Sequence, residues 1–125
     1  MSLNSLSKEI HKNAVEHGWW DEERSFGEII ALCHSELSEA LEEYRNNHIG
    51  EWFSCSVNAE KQCTRNFDCP NCLNGKPEGM AVEMADCIIR ILDWCGKEGV
   101  DIDDVIHRKM EYNKTRPYRH GGKAL

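Results

Sequence analysis

Glu36 and Glu39 stand three residues apart in the run HSELSEALEEYR, and Glu83 and Asp86 repeat that spacing in MAVEMADCIIRILD. Residues three apart share one face of an α-helix, so each pair presents two carboxylates to one side. Both pairs sit among residues that should face a core: Leu37, Ala40 and Leu41 beside the first, and Val82, Met84, Ala85 and Cys87 beside the second. An unpaired carboxylate taken out of water is costly enough that it persists only where a cation meets it. For a single pair that cation is commonly a side chain, here Arg90, or Arg45 from the neighbouring helix, in a salt-bridge network. Two pairs with so few basic residues near them point instead to a metal ion. An all-oxygen donor set suits magnesium (Mg2+), which normally binds carboxylates together with substrate phosphates. Di-iron bundles use Glu-x-x-His motifs, and neither pair is followed by histidine at that spacing.

The elements that must hold these carboxylates are helical. Leu3, Leu6, Ile10 and Ala14 line one face of a first helix from Leu3 to about His17, which Gly18 ends. Ser25 and Glu28 have capping-box spacing ahead of a second helix that runs to about Asn47, with Ile29, Ile30, Leu32, Cys33, Leu37, Ala40, Leu41 and Tyr44 in helical period. From His48 to Lys76 the pattern breaks into Gly, Asn, Ser and four cysteines, an insertion between helices. Pro77 suits a first helical turn, and Met80 to Cys95 is apolar on most sides, the pattern of a buried central helix. Gly96 and Gly99 offer stops, Asp101 can cap a fourth helix carrying Ile102, Val105, Ile106 and Met110, and Pro117 ends it. With no strand alternation or repeat in view, the expected fold is all-α, a four-helix bundle formed by residues 1–125 as one domain with an insertion at 48–76.

Composition agrees with a folded, water-soluble chain: 40% of residues are hydrophobic and 30% charged. No run is apolar enough to span a bilayer, and MSLNSLSKEIHK lacks the apolar stretch of a secretory signal, so no membrane partner and a cytoplasmic location are expected. The net charge of −7 argues against a general nucleic-acid partner. That charge is uneven, with six Lys/Arg and the single acid Glu111 from Val105 to Leu125. An acidic body with a basic end can hold a metal and a polyphosphate. Seven cysteines without an export signal read as reduced thiols or metal ligands. Cys33, Cys87 and Cys95 fall in helical patterns and read as small core residues.

HSELSEALEEYR followed by KPEGMAVEMADCIIRILD resembles the MazG-like, all-α nucleoside triphosphate pyrophosphohydrolases. The resemblance covers about Gly18 to Asn47 and Lys76 to Lys123. It implies a MazG-like bundle, and cleavage of a nucleoside triphosphate substrate between its α and β phosphates to give the monophosphate and pyrophosphate. It also implies that Glu36, Glu39, Glu83 and Asp86 are the catalytic magnesium ligands, that Lys109 and Asn113 contact phosphate, and that the protein is a homodimer or homotetramer. Glu42 or Glu43 is either an outer ligand, a water-orienting base or part of a solvated face. Arg116 and Lys123, in a tail containing Gly121 and Gly122, are further candidates to bind substrate phosphate, against the simpler reading of a solvated charged end. Trp20, beside Trp19, is either a packing residue or a border of the base pocket.

The insertion departs from the family pattern. Cys69 and Cys72 have zinc-ligand spacing, with Cys55 and Cys63 as less regular partners, and a structural zinc (Zn2+) held by these four would stabilise a polar loop that has little apolar content. This feature carries the competing functional expectation, a catalytically retired helical scaffold serving as a zinc-bearing interaction module. Retention of all four carboxylates favours the enzyme.

Overall fold

A computed structural model describes residues 1–54, 62–63 and 75–119, without the side chains of residues 62–63. Among them are four helices and three short strands: α1 (Leu3–Glu16), α2 (Phe26–Arg45), β1 (Trp52–Ser54), β2 (Gln62–Cys63), β3 (Lys76–Glu78), α3 (Met80–Glu98) and α4 (Ile102–Lys114). The chain divides into two compact units, Glu22–Ile91 and Met1–Asp21 with Leu92–Leu125. The first turns of α3 belong to one unit and its last turns to the other.

In the Glu22–Ile91 unit, α2 starts where the capping signal places it: the Ser25 hydroxyl accepts the Glu28 backbone N–H at 3.1 Å. Its buried stripe is Ile29, Cys33, Glu36 and Ala40. This corrects the expected inward face, since Leu37 and Leu41 are 48% and 49% exposed while Glu36 is buried. The stripe advances by three and four residues, and in α2 it passes through a carboxylate rather than through the neighbouring leucine.

The expectation of no strands is also corrected. The strands form an antiparallel sheet of order β2-β1-β3, with Trp52 opposite Glu78, Phe53 opposite Pro77 and Ser54 opposite Lys76. Pro77 therefore lies in β3 and not in a helical first turn. It is tolerated because β3 is at the sheet edge, where a missing N–H leaves no partner stranded. Two- and three-residue strands are too short to display alternation, and their stability comes from pairing across sequence.

The joint between α2, the sheet and α3 is tightly specified. Glu43 Oε2 accepts both His48 Nδ1 at 2.8 Å and Trp52 Nε1 at 3.1 Å. The Met80 N–H donates to the His48 carbonyl, and the Glu83 N–H to that of Gly79, both at 3.1 Å. Gly79 has φ +119°, and a Cβ there would lie 2.5 Å from the Gly50 carbonyl oxygen. Gly79→Ala is expected to destabilise the protein by about 1–3 kcal/mol through that strain, read as a lowered thermal midpoint. An unchanged midpoint would show that this joint does not fix the start of α3.

In the other unit, α1 and α4 cap each other. The Asp103 carboxylate accepts the Leu3 and Asn4 N–H groups at 3.1 and 2.9 Å, and Asn4 Oδ1 accepts the Ile102 N–H at 2.9 Å. Asp101 caps α4 as its position suggests, accepting the Asp104 N–H at 3.1 Å. Gly96 is not a stop: α3 continues to Glu98, and Gly99, with φ +68°, follows it. The role of Gly96 is close approach, since a Cβ there would meet the Ser7 carbonyl and the His11 Cβ at 2.8 Å. Beside it, buried Asp93 accepts His11 Nδ1 at 2.8 Å and Trp20 Nε1 at 3.0 Å.

Candidate metal centre

Within the Glu22–Ile91 unit, α2 supplies Glu36 and Glu39 and α3 supplies Glu83 and Asp86. One carboxylate oxygen from each of Glu36, Glu39 and Glu83 lies within 4.8 Å of the others, close enough for a shared cation. Asp86, one turn beyond Glu83, is outside that group of three but near enough for its charge to act on Glu39 and Glu83. Sequence spacing therefore located the four residues, and the structure brings three of them into mutual reach.

Glu36 is the least solvated of the cluster, at 7% exposure. Its Oε1 accepts Arg90 Nε at 2.8 Å. Its Oε2 is buried and has no hydrogen-bond partner among the described residues when the surrounding carboxylates are ionised. A buried oxygen of this kind is costly unless a proton or a cation reaches it. A protonated Glu39 or Glu83, a water or a positive ion can satisfy it. The salt-bridge reading is thus realised at Glu36 Oε1, by Arg90. Arg45 lies 3.9 Å from Glu42 in an exposed pair instead.

The protonation pattern is that of acids crowded in the absence of enough positive charge. Burial pushes Glu83 up to about 7, aided by hydrogen bonding to Glu39 and by the charges of Glu39 and Asp86. Glu39 is raised by its hydrogen bond to Glu36, then by burial and by the Glu36 charge. Asp86 is raised by burial and by Glu36, against the opposing charges of Arg90 and Lys76. For Glu36 burial acts upward, but the hydrogen bond from Arg90 and those shared with Glu39 and Glu83 hold it below the ordinary carboxylate range. The donor set is all oxygen, partly buried and short of positive charge, and it fits a hard divalent cation.

Arg90, the side-chain cation named from the sequence, is in place, whereas a second contributor, Lys76, was not visible there. Arg90 follows Asp86 by four residues and Glu83 by seven, the helical spacing that puts it on their face. Lys76 sits in β3, and its charge bears on Asp86, a relation that no helical period can reveal. Glu43, a candidate outer ligand or base, is engaged by His48 and Trp52, and Glu42 is exposed.

The candidate substrate residues Lys109, Asn113, Arg116 and Trp20 belong to the other unit. The Lys109 ammonium lies 5.0 Å from the Tyr112 ring centroid, and the Arg116 guanidinium 6.0 Å from it. Asn113 is exposed on the last turn of α4. The Trp20 indole N–H is bonded to Asp93, and Lys97 lies 5.1 Å above its ring. Lys123 lies outside the described residues, as do Cys55, Cys69, Cys72 and the side chain of Cys63, so the zinc ligands proposed from spacing are not among the side chains described. Cys33, Cys87 and Cys95 are free, buried thiols, matching their reading as core residues. Among the described residues no helix is long and apolar enough to cross a membrane.

No known protein family matches the chain, and neither a curated protein nor a solved structure matches it.

Proposed function

We propose that this chain is a magnesium-dependent nucleoside triphosphate pyrophosphohydrolase of the MazG-like type. The observation that carries the reading is Glu36 Oε2, a buried carboxylate oxygen that no cationic or neutral donor reaches among the described residues, set against carboxylates from both α2 and α3.

Bound magnesium supplies charge that neutralises the triphosphate oxygens and acidifies water. The chain's own work is positioning. Arg90 holds Glu36 in one orientation and keeps it ionised. Glu83, pushed up to about 7, holds a proton in acid and weakly acidic solution that a cation would displace, which lowers the negative charge of the metal-free cluster there. Water adds across the α–β phosphoanhydride, giving a nucleoside monophosphate and pyrophosphate. Lys109, Asn113, Arg116 and Lys123 as phosphate contacts, and Trp20 as a border for the base, belong to the same proposal. So does a homodimer or homotetramer, supported by the apolar residues exposed on α2 and α3: Leu37, Leu41, Met84, Ile88 and Ile91.

The test is pyrophosphate release from a panel of ribo- and deoxyribonucleoside triphosphates with and without magnesium. Monophosphate and pyrophosphate are expected in equal amounts, only with the metal. Release of inorganic phosphate alone would overturn the bond assignment. No turnover of any triphosphate would leave the scaffold reading in its place.

A further inference from the structure

The two oxygens of Glu36 are treated differently by the fold. Oε1 is held by the Arg90 Nε at 2.8 Å, in a pair whose side chains are 9% exposed for Glu36 and 28% for Arg90. Oε2 is buried and unpartnered among the described residues. Arg90 reaches Glu36 from α3, the helix that also presents Glu83 and Asp86. Nε points along a fixed direction within the planar guanidinium, so this bond restrains the rotation of the carboxylate as well as supplying charge.

Divalent cations differ in what they ask of a carboxylate. Calcium accepts six to eight oxygens at variable distances and takes carboxylates in either the one-oxygen or the two-oxygen mode, whereas magnesium demands a small, near-octahedral shell. A carboxylate free to turn can offer both oxygens to one ion. A carboxylate with one oxygen held by a guanidinium offers the other oxygen more readily than both together.

We propose that Arg90 is a positioning residue that favours coordination of Glu36 through Oε2 over the two-oxygen mode and thereby biases the site toward magnesium and against calcium. This inference rests on the metal reading given above. It assigns to Arg90 something other than charge balance, and the two roles make different predictions. If Arg90 acted only through its charge, its removal would strengthen binding of both ions about equally, because one positive charge beside the site is gone. If it acts through geometry, its removal changes the ratio between the ions.

The experiment is calorimetric titration of the full chain, without nucleotide, with magnesium alone and with calcium alone. It compares the unsubstituted protein, Arg90→Gln and Arg90→Lys, with circular dichroism and thermal melting to establish that each is folded. Arg90→Gln is expected to shift the calcium-to-magnesium affinity ratio toward calcium by about tenfold or more, the scale of losing a group that orients a metal ligand. Arg90→Lys keeps the charge but replaces the planar donor with a point charge, and is expected to shift the ratio in the same direction. Should Arg90→Gln fail to fold, Arg90→Lys carries the test by itself. Equal changes for both ions in Arg90→Gln, or an unchanged ratio in a folded Arg90→Lys, would overturn the positioning role while leaving the metal centre intact. An unsubstituted protein that binds neither ion would instead bring down the metal reading, and this inference with it.

Discussion

Glu39→Gln is expected to lower magnesium-dependent pyrophosphate release by about a hundredfold or more while leaving the fold intact, because loss of a ligand that positions charge in the transition state typically costs that much. Glu39 is exposed, so its replacement buries nothing new and opens no cavity. Its carboxylate is nevertheless within reach of those of Glu36 and Glu83. Removing the negative charge relieves repulsion in the metal-free cluster, so the thermal midpoint without magnesium should stay level or rise as activity disappears. Asp86→Asn is a second probe, because Asp86 is half-buried and not one of the three groups in mutual reach. A fall in rate there at saturating magnesium would place it in the working site. Steady-state rates with the melting curve of each variant separate the outcomes, and a Glu39→Gln protein that turned over substrate like its parent would remove Glu39 from the site.

The metal-free protein should lose stability as pH rises from about 5 to 8, and magnesium should restore it. Glu83, raised from its ordinary 4.5 to about 7, binds a proton in the folded state that the unfolded chain has released. A group shifted upward in this way contributes stability that is fully present below its unfolded value and is lost as pH climbs through the folded one. Glu39 and Asp86 are shifted in the same direction. Glu36 has the opposite sign: its depressed value adds stability above the unfolded range, which is lost in acid. The falling limb between about 5 and 8 therefore belongs to the raised acids. A cation that displaces those protons binds more tightly as pH rises, so its stabilisation grows over the same window. At a hundred times its dissociation constant a ligand adds about 2.7 kcal/mol. Thermal melts at pH 5 and pH 8, each with and without magnesium, should show a large shift at pH 8 and little at pH 5. Glu83→Gln should flatten the metal-free profile. A magnesium shift equal at both pH values would mean that the cation does not meet these carboxylates.

The parts of this molecule that depend on short-range spacing were legible in the sequence. The Ser25 and Asp101 caps, the extents of α1 and α2 and the pairing of carboxylates at three-residue intervals all follow from helical period and backbone hydrogen bonding. The errors share a physical origin in distant partners. Pro77 reads as a helix start until Phe53 is known to lie opposite it. Gly96 reads as a stop until Ser7 and His11 occupy the space where its side chain would be. Leu37 is a better core residue than Glu36 by transfer free energy alone, yet α2 turns Glu36 inward, and its ionisation there is supported by Arg90. That last reversal is where local preference and arrangement conflict, as expected where a chain sacrifices stability for a site. Lys76 was missed because its bearing on Asp86 depends on the sheet.

The sheet has one more consequence. Because Ser54 faces Lys76 across antiparallel strands, the chain leaves the α2 side and returns to the α3 side through neighbouring positions. Closing a longer or shorter path between two fixed ends changes the free energy only logarithmically with length. The helices bearing the carboxylates are thus tied together by paired positions of β1 and β3, so the loop-closure cost between them depends only weakly on the length of chain that joins the two strands.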